Sequence, residues 1–142
     1  MNLPHRRTGS CQCGAVKFEA PETPSALYVC HCTQCQKQSA SAFGISFTIP
    51  RQSLKLIEGA PLFWLRNTAK GHTLECAFCP ECGTRLWHQS SGHPDSLNIK
   101  AGSFNEPVDL SGAQHIWVAS KVPGVVIPEG AIAFEREPVS SP

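Results

Sequence analysis

The sequence predicts a mainly β protein with one short helix. The chain contains 11 glycines and 12 prolines, and short runs rich in β-branched and aromatic residues lie between them. Only residues 33–39 have a helical pattern, which is long enough for about two turns. Hydrophobic residues make up 41% of the 142 residues. This content is sufficient for the core of a single domain over residues 1–142.

Eight segments have the short alternating or apolar pattern of β-strands. They are residues 15–19, 44–49, 54–58, 63–67, 73–78, 85–88, 97–101 and 115–118. Strands with so little helix between them predict several small sheets. We expect the core to cover about residues 9–138, and the polar, proline-containing tail from residue 135 to fray.

Charge and hydropathy argue against two classes of partner. No stretch of about 18 apolar residues is present, so we expect no transmembrane helix. The polar N-terminus is not followed by an apolar signal region, which predicts a cytoplasmic location. The net charge is +1 and basic residues are scattered, whereas a nucleic-acid site needs a clustered basic face. We therefore expect neither a membrane nor a nucleic acid as partner.

The eight cysteines carry the chemical information in this chain. Without an export signal, cysteines are metal ligands or catalytic groups more often than disulfides. Cys76 stands apart, and the other seven fall into three motifs. These are Cys-x-Cys at Cys11 and Cys13, Cys-x-Cys-x-x-Cys at Cys30, Cys32 and Cys35, and Cys-x-x-Cys at Cys79 and Cys82. The alternative is a set of buried free thiols.

The pair Cys79 and Cys82 is the strongest metal signal. The string Cys-Pro-Glu-Cys-Gly is typical of a zinc knuckle, and Gly83 permits the turn that such a knuckle needs. A structural zinc takes four ligands. Cys11 and Cys13 are the best partners, because Cys-x-Cys spacing puts both side chains on one face. The alternatives are that Cys79 and Cys82 are core thiols and that Cys11 and Cys13 are edge-strand cysteines.

The middle motif predicts a different kind of site. Three protein ligands leave the fourth position of a zinc ion open to water or substrate, which is the pattern of a catalytic site. In the alternative, a fourth protein ligand closes the site and makes it structural. The candidates for that ligand are His31, His72 and Cys76. Otherwise we expect Cys76 to be a buried thiol or a neighbour of a metal site.

The order of these motifs resembles the glutathione-dependent formaldehyde-activating enzyme (GFA) family, also called the CENP-V/GFA family. Cys-x-Cys comes first, then Cys-x-Cys-x-x-Cys, then Phe-Cys-x-x-Cys-Gly. Residues 28–32, 101–104 and 114–118 agree as well, and the similarity covers about residues 9–138.

The resemblance implies a β-tent fold of several curled antiparallel sheets that is stabilised by zinc. It implies two zinc ions per chain, one structural and one at a functional site. The structural ion would be held by Cys11, Cys13, Cys79 and Cys82. The second would be held by Cys30, Cys32 and Cys35, whose catalytic role is to hold it.

The implied activity is that of a carbon–sulfur lyase or synthase. Glutathione, or another thiol, would join formaldehyde or a related aldehyde to give S-(hydroxymethyl)glutathione. Two alternatives remain open. One is a non-enzymatic, zinc-stabilised module that binds glutathione or docks a partner, and the other is a lyase for a different small thioether.

The chain departs from the family pattern at two positions. Many members have glycine after the helix, where this chain has Ala40. Many have tryptophan after the Lys-x-Pro string, where this chain has Gly124. The second change removes a large aromatic side chain and bears on the choice of substrate.

Histidines and aromatic residues carry weaker signals. We expect His31 to lie beside the site or at the surface, since neighbours in an extended segment point to opposite sides. His115 lies in an apolar run and is expected in the core. The remaining candidates are aromatic residues expected in the core, although one of them, or Phe43, could instead line a pocket. They are Trp64, Trp87 and Trp117.

Overall fold

The computed structural model describes residues 5–138 and confirms the mainly β class. The described part contains ten strands: β1 Arg6–Ser10, β2 Lys17–Pro21, β3 Ala26–Cys30, β4 Gly44–Pro50, β5 Lys55–Glu58, β6 Leu62–Asn67, β7 Thr73–Phe78, β8 Arg85–Ser90, β9 Ser96–Lys100 and β10 Gln114–Ile116. Its single α-helix, α1, covers Thr33–Ser39, as predicted. Short 3₁₀ turns cover Arg51–Ser53, Ala101–Ser103 and Val118–Ser120.

Two strands were not predicted from the sequence. β1 has the polar composition Arg-Arg-Thr-Gly-Ser and forms a strand because it pairs antiparallel with β2. β3 is an apolar run that ends at the first cysteine of the middle motif. The predicted strand over residues 115–118 ends earlier, at Ile116, because Trp117 has a φ of 58° and leaves the extended conformation.

Backbone proximity divides the chain into two compact units. The first contains the residues up to Ser25 together with Phe47–Val108, and the second contains Ala26–Ser46 and the chain from Asp109 onward. Strand β4 begins in the second unit and ends in the first. The single domain over residues 1–142 stays a prediction.

The first unit contains an antiparallel three-stranded sheet in the order β1-β2-β5, and strands in the order β4-β9-β8-β7-β6. Its core is aromatic. The ring of Phe18 lies 5.9 Å from Trp87 and 5.7 Å from Phe104, and Phe47 lies 4.8 Å from Phe104. The Arg7 guanidinium covers the outer side of this cluster, 5.4 Å from the centre of the Phe47 ring.

The second unit contains strands in the order β10-β3-β4. The pairing of β10 with β3 is parallel and sets His115 opposite Val29 and Ile116 opposite Cys30. The tail from residue 135 was expected to fray, and its last part, residues 139–142, lies outside the described residues. Further back, the carbonyls of Glu135 and Arg136 accept hydrogen bonds from the backbone N–H groups of Ala119 and Trp117.

Over residues 5–138, no helix has the length and apolar character that crossing a membrane requires.

Candidate metal centres

The first cysteine pair lies in the turn between β1 and β2. The Cys11 N–H donates to the carbonyl of Val16, and the Gly14 N–H donates to the carbonyl of Cys11. Gly14 has a φ of 82°, a left-handed conformation that suits glycine. This closed turn directs the side chains of Cys11 and Cys13 to the same place, and their sulfurs lie 3.6 Å apart.

The second pair lies in a matching turn between β7 and β8. The Cys79 N–H donates to the carbonyl of Thr84, and the Gly83 N–H donates to the carbonyl of Cys79 at 2.8 Å. Gly83 has a φ of 81°, which confirms the sequence argument for a permissive residue after the second cysteine.

The two turns bring four thiols together within the first unit. All four Sγ atoms of Cys11, Cys13, Cys79 and Cys82 lie within 4.8 Å of one another, and Cys13 and Cys79 are 3.8 Å apart. In a tetrahedral zinc site with Zn–S bonds of about 2.3 Å, sulfurs are about 3.8 Å apart. The donor set and its spacing therefore fit a tetrahedral metal ion such as zinc.

Several hydrogen-bond donors point at the sulfurs of this cluster. The Val16 N–H donates to the Sγ of Cys11 at 3.2 Å, and the Glu81 N–H donates to the Sγ of Cys79 at 3.3 Å. At the solvent-exposed Cys82, the hydroxyl of Thr84 lies 3.2 Å from the sulfur. Hydrogen bonds from the Thr84 side chain and then its backbone lower the pKa of Cys82 to about 5. Metal binding requires this deprotonated form.

Thr84 is a site residue that the sequence analysis missed. Its hydroxyl oxygen accepts a hydrogen bond from the Gln12 N–H at 3.0 Å, so its own proton is available for the sulfur of Cys82. One side chain thus joins the two cysteine turns, which are about 70 residues apart in the chain. The contact depends on tertiary structure and has no local sequence signal.

The three-cysteine cluster lies in the second unit, where β3 leads into α1. Cys30 is the last residue of β3 and is buried, Cys32 is the N-cap of the helix, and Cys35 lies on its first turn. The three Sγ atoms lie within 4.8 Å of one another. Among residues 5–138, no histidine, aspartate, glutamate or further cysteine belongs to this group.

The thiols of this cluster perturb one another strongly. Hydrogen bonds from the Cys30 and then the Cys35 thiol lower the pKa of Cys32 to about 2, and the same contacts with Cys32 and Cys35 raise the pKa of Cys30. The Cys35 N–H also donates to the Sγ of Cys32 at 3.3 Å. Without a cation, one thiolate is stabilised by its protonated neighbours. A divalent cation would allow several of the thiols to be deprotonated together, because its charge offsets the negative charge of more than one thiolate.

Two residues hold the segment of the three-cysteine cluster in place. The Gln36 amide donates to the carbonyls of His31 and Ser120, at 2.8 and 2.9 Å. Gly44 lets its backbone approach the helix closely, since a Cβ atom there would lie 2.8 Å from the Nε2 of Gln38 and 3.2 Å from the Cβ of Cys35. Neither residue has a pattern that marks it in the sequence.

His31 is fully buried beside the cluster, so a surface position for it is wrong. Its Nε2 lies 3.0 Å from the Nδ1 of His115, and the rings stack at 5.3 Å. Burial lowers the pKa of both histidines, which favours their neutral form. The Nδ1 of His31 has no hydrogen-bond partner. Donation from the Nε2–H of His31 is therefore favoured, because the opposite tautomer leaves a buried N–H unpaired.

The structure also places the other candidates. Cys76 is 1% exposed, belongs to neither cysteine group, and has its sulfur 4.0 Å from the carbonyl oxygen of Leu74. This confirms the buried-thiol interpretation. His115 and Trp87 are buried as expected, whereas Trp64 is 52% exposed and Trp117 is half-buried. The core position predicted for Trp64 is wrong, because β6 is an edge strand.

Comparison with known proteins agrees with this arrangement of cysteines. A family profile described as "Glutathione-dependent formaldehyde-activating enzyme" matches residues 6–120, which is most of the chain. The chain belongs to this family. All seven candidate ligands of the two cysteine clusters lie inside the matched region. The GFA assignment thus includes both clusters, the short helix and all ten described strands.

A solved structure shows the same fold. The crystal structure of a Rhodobacter sphaeroides protein, determined as a structural-genomics target, superimposes with a TM-score of 0.58 at 23% identity. The alignment covers 76% of this chain and 98% of that one. At 23% identity, this similarity supports the fold of this GFA-family chain and nothing further.

Proposed function

We propose that this chain catalyses the reversible addition of a thiol to a small aldehyde at a metal ion held by Cys30, Cys32 and Cys35. The observation that supports this most is the cluster of three thiols with no fourth protein ligand among the described residues. Glutathione is the proposed thiol and formaldehyde the proposed aldehyde, in line with the family description. The product is S-(hydroxymethyl)glutathione.

The donor chemistry supports zinc as the metal at both clusters. Thiolate sulfur is a ligand that zinc prefers, and four thiolates are typical of structural sites whereas three leave a position for substrate. We assign Cys11, Cys13, Cys79 and Cys82 to a structural ion on this basis. Such thiolates persist in a reducing compartment such as the cytoplasm, which is the proposed location.

The reaction needs a deprotonated thiol beside a carbonyl carbon. When bound, zinc supplies a position at which a coordinating thiol loses its proton. Addition of that thiol to the aldehyde would form a C–S bond at the carbonyl carbon, the carbonyl electron pair would move to oxygen, and the proton released by the thiol would pass to that oxygen. The reverse reaction breaks the same C–S bond.

The protein contributes geometry to this chemistry. Cys30 is held by β3, Cys35 by α1, and Cys32 by the cap between them. The buried rings of His31 and His115, which lie within hydrogen-bond distance of each other, support the ligand segment from the protein interior. Preorganised ligands of this kind keep the open position in one place, which is the main requirement for orienting two small reactants.

A metal count combined with a rate measurement tests the proposal. The zinc-loaded full chain should contain two zinc ions, and Cys32→Ser should contain one. The wild type should form the glutathione–formaldehyde adduct faster than the uncatalysed reaction, and Cys32→Ser should not. Cys76→Ala is the matched control, since Cys76 belongs to neither cluster, and it should retain both zinc ions and the rate.

Two zinc ions without a rate gain for any thiol–aldehyde pair would contradict the enzyme and leave a binding module. A rate gain that survives in Cys32→Ser would place the reaction elsewhere on the chain.

A further inference from the structure

Strand β6 presents an unusual surface for an edge strand. It pairs with β7 on one side and ends the strand order β4-β9-β8-β7-β6 on the other. The first four residues, Leu62, Phe63, Trp64 and Leu65, are each between 52% and 60% exposed. We refer to these four residues as the β6 edge. Single exposed apolar residues are common on protein surfaces, whereas a contiguous exposed apolar patch is typical of an interaction surface.

The β6 edge lacks the features that protect edge strands from pairing. Natural edges carry lysines, prolines, bulges or a covering segment. β6 contains no proline or lysine, its pairing with β7 is regular from Leu62 to Asn67, and its one charge is at Arg66. In the described part of the chain, the outward side of β6 has no strand on it. Half of its backbone groups therefore remain available for a further strand.

The side chains of the β6 edge are apolar on both faces of the sheet. Successive side chains on a strand point to opposite faces, so Leu62 and Trp64 lie on one face and Phe63 and Leu65 on the other. A two-fold axis normal to the sheet places the Leu62/Trp64 faces of both copies on the same side of the combined sheet, and the Phe63/Leu65 faces on the other side. Two copies of β6 paired antiparallel would thus bring apolar residues against apolar residues on both faces.

The available area suits a dimer. A fully buried aromatic side chain removes about 150–250 Å² of surface from water. A half-exposed large apolar side chain therefore still offers on the order of 100 Å² of surface for burial. Leu56 and Ile57 of β5 are also about half exposed and precede β6 by a short loop. Six such side chains offer up to about 600 Å² per copy, or about 1,200 Å² for a pair, which is the lower limit for a specific interface.

We propose that the chain forms a two-fold homodimer in which β6 pairs antiparallel with β6 of a second copy. The self-complementary edge favours an identical partner over an unrelated protein, because one strand supplies both the backbone groups and the matching apolar faces. This inference is independent of the proposed reaction.

Light scattering on the zinc-loaded full chain, from micromolar to several hundred micromolar protein, tests the dimer. The wild type should reach twice the monomer mass of 15.4 kDa. Leu65→Lys should raise the dimer dissociation constant about 100-fold or more, because each copy then sets a charged side chain against the apolar strand of its partner. Val126→Lys, which makes the same kind of change at another exposed apolar position, should leave the dissociation constant within about twofold.

Hydrogen exchange provides a readout that needs no variant. The outward-facing half of the amides in Leu62–Asn67 should gain protection as the wild-type concentration rises, because intermolecular strand pairing occupies them. A monomer at every concentration would overturn the proposal. A dimer that survives Leu65→Lys, or whose β6 amides exchange at the same rate at all concentrations, would overturn it as well.

Discussion

Ala40 ends the helix that carries Cys35 in a conformation that costs free energy. Its φ of 51° lies in the left-handed region, and its N–H group bonds to the carbonyls of Gln36 and Lys37. Glycine is the usual residue at this position of a helix end, because a Cβ atom there crowds the following carbonyl. The resemblance to the GFA family implied glycine here, and the structure explains why. The chain tolerates alanine because the capping hydrogen bonds hold the turn.

We therefore expect Ala40→Gly to stabilise the protein. The relief of left-handed strain exceeds the added entropy of the unfolded chain, and the net gain in the free energy of unfolding should be about 0.5–1 kcal/mol. Ala42→Gly is the matched control, because among the described residues only Ala40 and Trp117 combine a side chain with positive φ. It should lose stability. Denaturant unfolding of the two variants checks this, and a loss in both would contradict the argument.

At the scale of elements, the β1–β2 hairpin depends on one missing side chain. Gly9 pairs with Phe18 in this hairpin, and a Cβ atom at Gly9 would lie 2.3 Å from the Phe18 ring. The ring is 1% exposed and lies between Trp87 and Phe104, so it has no space to move into. The hairpin also leads directly into Cys11, which joins this packing to the four-cysteine cluster.

Gly9→Ala should lower the free energy of unfolding by about 1–3 kcal/mol, the usual cost of overpacking a core. Gly102→Ala is the matched control, because a Cβ atom there meets no atom within 4 Å. It should change stability by less than about 0.5 kcal/mol. Urea titrations of the three proteins give the comparison. Equal stabilities for Gly9→Ala and Gly102→Ala would show that the hairpin moves to accept the side chain.

At the scale of the whole molecule, each cysteine cluster belongs to one compact unit, but the clusters join very different lengths of chain. The four-cysteine cluster connects residues 66 positions apart, while the three-cysteine cluster lies within a single short segment from Cys30 to Cys35. A link between distant residues removes much more conformational entropy from the unfolded chain than a local one. The two ions should therefore differ in their effect on stability.

We expect Cys79→Ser to lose one zinc ion and roughly 4 kcal/mol of stability, by analogy with a cross-link that closes a loop of this length. Cys32→Ser should also lose one zinc ion, but only about 2 kcal/mol, because the same relation gives a smaller entropy term for a loop of a few residues. Thermal unfolding with zinc present, together with a metal count, tests this. Similar losses of stability in the two variants would show that the second ion is structural too.

Local patterns were sufficient for the parts of this fold that depend on neighbours in sequence. The bounds of α1 were predicted at Thr33–Ser39 because capping and turn formation involve a few adjacent residues. Gly83 was predicted as a turn residue for the same reason. β1 was missed because its polar residues form a strand only through pairing with β2. Trp64 was misplaced because its exposure depends on the position of β6 in the sheet.

The mainly β class, the family and the cysteine motifs that can hold metal ions could all be predicted from the sequence, because composition and ligand spacing are local properties. The structure confirms that Cys11 and Cys13 meet Cys79 and Cys82. The contact of Thr84 with both turns, and the burial of His31 against a histidine 84 positions away, depend on tertiary structure alone. The tertiary structure also decided that β6 presents an apolar edge. Distances and burial between residues far apart in the chain depend on strand pairing, which no single segment encodes.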